Sequence, residues 1–141
     1  MKADKMAPLR AAEIEALKEL YAAINRNDIE SAVKILDPQI AWIEPPEYGT
    51  TCHGLVELKA HLTKARGTWA EGSCEPDRFV VAGDKVIVFL NIHVRLKTET
   101  DFRVGRHAAI FTFRDGVATE MRIIDDEQEA LEWAGAKASH G

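Results

Sequence analysis

Phe102-Arg103-Val104-Gly105-Arg106-His107-Ala108-Ala109-Ile110-Phe111-Thr112-Phe113-Arg114, then Asp115-Gly116, then Val117-Ala118-Thr119-Glu120-Met121-Arg122-Ile123-Ile124-Asp125, reads as two strands joined by a tight turn. Asp-Gly between two β-rich runs is a strong hairpin signal, because both central residues of a type I′ turn need positive φ. Working back, Val86 to Leu96 is another long strand. It is continuously apolar at first, then alternates Leu90, Ile92, Val94 and Leu96 with Asn91, His93 and Arg95. Lys97 to Asp101 is a polar turn. Gly83-Asp84 is a turn that follows a shorter strand from Arg78 to Ala82. The second half of the chain is therefore a four-stranded meander.

The first half is mostly helical. Pro8 suits a first helical turn, and Leu9, Leu17, Leu20, Tyr21 and Ile24 form an apolar stripe up to Arg26. Asp28 is a candidate N-cap for a second helix carrying Ile29, Ala32, Val33 and Leu36, and Asp37-Pro38 stops it. A strand around Trp42 follows, then a loop from Glu47 to Gly54. A third helix spans Leu55 to Arg66, with Leu55, Leu58, Leu62 and Ala65 on its core face and Gly67 as C-cap. Beside Lys59 and Lys64, His61 reads as solvent-facing. A short helix from Glu127 to Ala134 ends the fold; Asp126 is its N-cap and Gly135 its stop. The expected class is α+β: one domain over residues 1–141, its core within about 8–135, with helices over the concave face of a curved antiparallel sheet. The mouth of such a cone is a natural ligand pocket.

Composition narrows the function classes. The chain has 141 residues, 46% of them apolar and 29% charged, as in ordinary soluble domains. A net charge of -5 and scattered Lys and Arg argue against nucleic acid as a partner. No apolar run reaches the roughly 20 residues of a membrane span. Met1 to Lys5 lacks the apolar core of a signal peptide and reads as a loose lead-in, so a cytoplasmic location is expected. Cys52 and Cys74 lack CxxC spacing and read as free thiols. The five His are dispersed at 53, 61, 93, 107 and 140, and no Gly-rich phosphate loop or GxSxG elbow is present. A cofactor-free reaction with no metal fits what remains.

One acidic residue stands out. In Ile40-Ala41-Trp42-Ile43-Glu44-Pro45-Pro46, period two puts Glu44 on the face of Ile40 and Trp42. A carboxylate costs free energy to bury there as an anion. Either it reaches the water edge before the prolines, or it is a proton-transfer group.

The order of elements resembles the SnoaL-like branch of the superfamily that includes nuclear transport factor two and ketosteroid isomerase. The residues that carry this are Tyr21 to Asp28, Trp42-Ile43-Glu44-Pro45, His53-Gly54, Phe111 to Gly116 and Glu129 to Gly135. The resemblance implies a cystatin-like cone and a small-molecule pocket. It also implies a homodimer through the outer sheet face, where Asn91, His93 and Arg95 lie. The ketosteroid isomerase base, an Asp before Pro, falls on Glu44-Pro45. Its oxyanion donors fall on Leu20 and Ala109; Tyr21 is one residue along, about 100° around the helix. With both donors replaced, ordinary ketosteroid isomerase activity is not expected.

Strand parity then selects candidates. If Ala109 faces the cone, so do His107, Phe111 and Phe113. By alignment with a Met-Arg pair of the isomerases, Met121, Ile123 and Asp125 face it too. The expected pocket holds Glu44, His107 and Asp125 as catalytic groups. Trp42, Ile123, Phe111 and Met121 would form its walls, and Tyr48 its rim. A small apolar molecule would be isomerised, cyclised, dehydrated or hydrolysed there. The alternative is a non-catalytic binding or dimeric interaction domain of the same fold.

Overall fold

The computed structural model describes residues 2–47 and 51–136, with side chains from residue 10 onward. The elements are α1 (Lys2–Asn25), α2 (Ile29–Ala32), β1 (Leu36–Ile43), β2 (Thr51–His53), α3 (Leu55–Gly67), β3 (Trp69–Ala82), β4 (Lys85–Leu96), β5 (Arg103–Arg114), β6 (Val117–Ile124) and α4 (Glu127–Ala134). They form an α+β fold around one curved sheet of order β2-β1-β6-β5-β4-β3. The meander is β3 to β6, antiparallel throughout. Asp115 (φ 53) and Gly116 (φ 85) make its last turn, as a type I′ hairpin requires. Beyond the meander, β1 lies parallel to β6, so the two strands end at the same edge.

Several boundaries move for physical reasons. The first helix starts at Lys2, so Pro8 lies inside it and the expected loose lead-in is helical. Met, Ala, Lys and Asp at its start are compatible with helix without any apolar stripe. The second helix is a single turn, capped by Asp28, whose Oδ1 accepts from Ser31 N at 3.2 Å. It stops early because β1 already begins at Leu36 and runs through Pro38. No ladder bond is lost at Pro38: β2 pairs only with Ala41–Ile43, and the register to β6 slips between Leu36 and Ala41. Strand β2 falls within the expected loop, too short to show a period of its own. The third helix includes Gly67, and Thr68 caps it.

The largest shift is in β3, which begins at Trp69 rather than Arg78. Register slips at Trp69/Glu71 and Pro76/Arg78 scramble the alternation that would have revealed it. Gly72 sits between them at φ +117, where an added Cβ would lie 2.1 Å from His93 O. The crossing of β3 over β4 is possible only without a side chain at that position.

Two apolar clusters explain the unbroken run in β4. Val86, Val88 and Leu90 face the concave side with Leu17, Leu20 and Tyr21 of α1, Leu58 and Leu62 of α3, and Trp42, Ala109, Phe111 and Met121 of the sheet. Ile87 and Phe89 face the other side with Ala108, Ile110, Ala130 and Leu131. A strand buried on both faces needs no polar alternation. Three helices cover the concave face as expected, while α4 seals part of the convex one.

Side chains then lock α1 to its neighbours. Asn25 exchanges two hydrogen bonds with the backbone of Cys74, at 3.0 and 2.9 Å. Arg66 donates to the last α1 carbonyls, Ile24 O at 2.9 Å and Asn25 O at 2.8 Å, and stacks on Trp69. A guanidinium at a helix C-terminus satisfies carbonyls that the helix leaves open.

Candidate functional site

Glu44 leaves the end of β1 at the concave edge, and its side chain is only 15% exposed. Two donors meet it. Trp42 Nε1 donates to Oε2 at 3.1 Å, and His61 Nε2 lies 3.0 Å from the same oxygen. Among the described residues, Oε1 accepts no hydrogen bond. The half-buried carboxylate is thus held, among the described residues, through one oxygen only.

His61 corrects the sequence reading: it is half-buried against Glu44, not solvent-facing. The helical period held the signal. His61 lies three residues after Leu58 and one before Leu62, on the buried stripe of α3. Lys59, two residues earlier, points about 160° away, and Lys64, on nearly the same side, is exposed one turn further along the helix.

Sheet register sets the remaining groups. Trp42 pairs with Met121, and Met121 with Phe111. One step along, Ile43 pairs with Arg122 and Ala109 with Ile123, so Glu44 lies at the level of Ile123 and Ala109. The next concave step brings His107 and Asp125 together, with Nδ1 to Oδ1 at 4.0 Å. The His107 side chain is 19% exposed. Burial lowers its pKa below 6.5, and the charges of Asp125 and then Glu44 pull it partly back. At neutral pH it is an uncharged imidazole that still feels both carboxylates. Asp125 is fixed by its place between β6 and the N-cap Asp126, which accepts from Glu129 N at 2.8 Å.

Glu44 and Asp125 both line a cleft of about 490 Å³, together with Pro45, Ile123 and Trp133. His107 borders a second cleft of about 330 Å³ with Ile92 and Gly105. Trp42, Phe111, Met121, Ala109, Leu20 and Tyr21, expected around a pocket, are at most 5% exposed and packed together. Phe111 meets Tyr21 and Trp42 edge to face at 6.4 and 6.2 Å. Desolvation holds the Tyr21 phenol well above its usual pKa, and burial pushes the Cys74 thiol up to about 12. Tyr48 lies outside the described residues. His53 is exposed, and its backbone N–H donates to Glu57. Asn91 and His93 are exposed on the convex face, where His93 stacks on Phe102 at 4.2 Å and Arg95 pairs with Glu71. Among the described residues, no group of three or more His, Cys, Asp or Glu is placed to hold a metal ion. None of the described helices is long and apolar enough to cross a membrane.

The fold defines a class of cone-shaped domains, and comparison with known proteins agrees. The model of the SnoaL-like domain matches residues 17–121, and the chain belongs to that family. A search of curated proteins finds no match. Among solved structures, the chain resembles TerC co-crystallised with polyporic acid, at 27% identity over 89% of this chain and 99% of that one, with a TM-score of 0.72. It also resembles an NTF2-like protein of unknown function from Burkholderia pseudomallei K96243, at 22% identity over 89% and 98%, TM-score 0.73. A third is a candidate SnoaL-like polyketide cyclase from Jannaschia sp. CCS1, at 14% identity over 86% and 90%, TM-score 0.71.

Proposed function

We propose that this chain is a cofactor-independent enzyme that moves protons on a small apolar, carbonyl-bearing molecule at the mouth of the cone. The observation that carries this is Glu44: a half-buried carboxylate anchored at Oε2 by Trp42 and His61, with Oε1 bonded to none of the described residues and the side chain lining a cleft. In this reading Oε1 takes a proton from carbon next to the carbonyl. His107 donates the one N–H of its neutral ring, at Nε2, to the oxygen as negative charge builds there, while Asp125, 4.0 Å from Nδ1, acts on the ring by charge and not through a hydrogen bond. A neutral imidazole serves as such an electrophile, since it keeps one N–H. The proton returns to a second carbon in an isomerisation, or the carbanion attacks an internal carbonyl in a cyclisation. The co-crystallisation of TerC with polyporic acid supports a small organic ligand for this shape. General acid–base catalysis of this type contributes about 10²- to 10⁴-fold.

The reading also takes the chain as a cytoplasmic homodimer. Free Cys52 and Cys74 suit a reducing compartment. Val104, 75% exposed, and Phe102 leave apolar surface on or beside the convex sheet face for a second copy.

Glu44→Gln tests the enzyme reading. It keeps the shape and an acceptor for Trp42 while removing the base. Turnover of a substrate found by screening should fall by about 10²-fold or more, with folding and ligand affinity nearly intact. Turnover unchanged in the variant refutes Glu44 as the base. One observation favours a second reading, a non-catalytic binding or interaction domain: the packed interior around Phe111 leaves the cone core no room for a ligand. That reading expects Glu44→Gln to weaken binding and no turnover to be found.

A further inference from the structure

Gly105 is the third residue of β5, in its exposed opening stretch, two residues before His107 and on the same concave face, opposite Ile92. Glycine weakens a strand, so its presence there needs a reason. The two usual ones fail. Its φ is not in the left-handed region, and a Cβ built on it would meet no atom within 4 Å. Gly72 in the adjoining hairpin shows the contrast, since there the backbone of β4 excludes a side chain. What the missing side chain at Gly105 leaves is open space: the cleft of about 330 Å³ that Ile92 and His107 also line.

We propose that Gly105 opens a binding subsite for a flat, uncharged apolar ring, laid over the glycine against Ile92 with a carbonyl oxygen directed at His107. The charge around the slot selects this class. Arg103, on the same face, has its guanidinium engaged by Glu99 at 2.9 and 2.6 Å. Arg106 is held by Asp77 and Glu127, both at 2.7 Å, and by Asn91. With each cation already paired to a carboxylate, the cleft offers less to an anion than to an uncharged ring. It offers an apolar floor and one polar group at its inner end. A strand that omits a side chain where its own fold leaves room for one makes space for something else. The direction of the carbonyl rests on the acid–base reading above; the slot itself does not.

The test uses 1-tetralone, an uncharged bicyclic aryl ketone, titrated into the full chain and followed by amide chemical shifts. The amides of Gly105, Ile92 and His107 are expected to move together, with the same affinity in Glu44→Gln. Gly105→Ala should bind within about twofold, and Gly105→Leu, which fills the slot, should lose at least about tenfold. Because the position is open, Gly105→Leu should keep its melting temperature; Gly105→Ser serves as a smaller block should the leucine variant fail to fold. Three results would overturn the subsite: shifts absent at these amides up to about 5 mM ketone, equal affinity in the filled variants, or a change of oligomeric state in Gly105→Leu, which would assign the space to a second copy. Tetralone binding that survives while Glu44→Gln leaves turnover unchanged overturns the enzyme reading alone. Lost turnover in Glu44→Gln without binding at Gly105 overturns the subsite alone.

Discussion

Replacing Phe111 by Ala asks whether the centre of the cone is packed core or ligand space. The ring is fully buried and meets Tyr21 and Trp42 edge to face, with interplanar angles of 84° and 76°. Burying a Phe and losing it to Ala costs about 3–5 kcal/mol, and each edge contact contributes about 0.5–1.5 kcal/mol of that. With two such contacts and neighbours drawn from α1 and β1, the expected loss is about 4 kcal/mol, a large share of a domain's stability. For a chain of this length the unfolding entropy is about 0.3 kcal/mol/K near the midpoint, so the melting temperature should fall by about 13 °C. Urea unfolding followed by tryptophan fluorescence measures the loss, with an unchanged slope showing that the native and denatured states stay comparable. The variant should also gain affinity for benzene-sized apolar molecules, as dry engineered cavities do. A loss below about 1.5 kcal/mol would refute the closed-core reasoning, because a ring that contributes so little is not tightly enclosed.

Three further outcomes follow from single residues. The unfolded His107 imidazole takes up a proton below about pH 6.5 that the buried one resists, so protonation favours the unfolded chain and stability falls as pH drops through that value. His107→Gln should flatten this part of the profile, and urea midpoints that fall just as steeply in the variant would show that other groups set it. Gly72→Ala should cost more than about 2 kcal/mol, since the methyl would sit 2.1 Å from a backbone oxygen at positive φ; a thermal midpoint near the parent's would mean the bulge relaxes freely. Arg66→Ala should cost about 1–2 kcal/mol by removing the guanidinium donor from Asn25 O and the second donor from Ile24 O, which keeps Asn27 N–H at 2.9 Å, and Arg66→Lys should recover only part of it. Denaturation curves that cannot separate the three proteins would refute the capping role.

The meander was legible because each turn is written locally. Asp115-Gly116 and Gly83-Asp84 announce their hairpins, and strand parity correctly put Ala109, Phe111 and Met121 on one face. The first half of β3 was hidden because its two register slips remove the period that sequence reading depends on. The parallel partnership of β1 with β6 was hidden too, since nothing local encodes a pairing between distant strands. At the site, Glu44 announced itself as an acid in an apolar strand, and register accounts for the approach of His107 to Asp125. His61 was hidden by its lysine neighbours, although its place between Leu58 and Leu62 carried the information. The walls of the expected pocket were read as lining because parity tells which way a side chain points, not whether space remains beyond it.

The parallel pairing of β1 and β6 has a consequence for how this domain can diversify. Glu44 and Asp125 each stand at the point where one of these neighbouring strands gives out. The backbone up to that point is fixed by the sheet; the described residues that follow directly, Pro45 to Glu47 and Asp126, lie outside its ladders. Change in those segments can therefore reshape what surrounds the two acids without moving the acids themselves. Connecting segments tolerate substitution and insertion far better than the strands that anchor them. Such a frame keeps the two carboxylates in place under an interchangeable roof, so their surroundings can change without relearning how to fold.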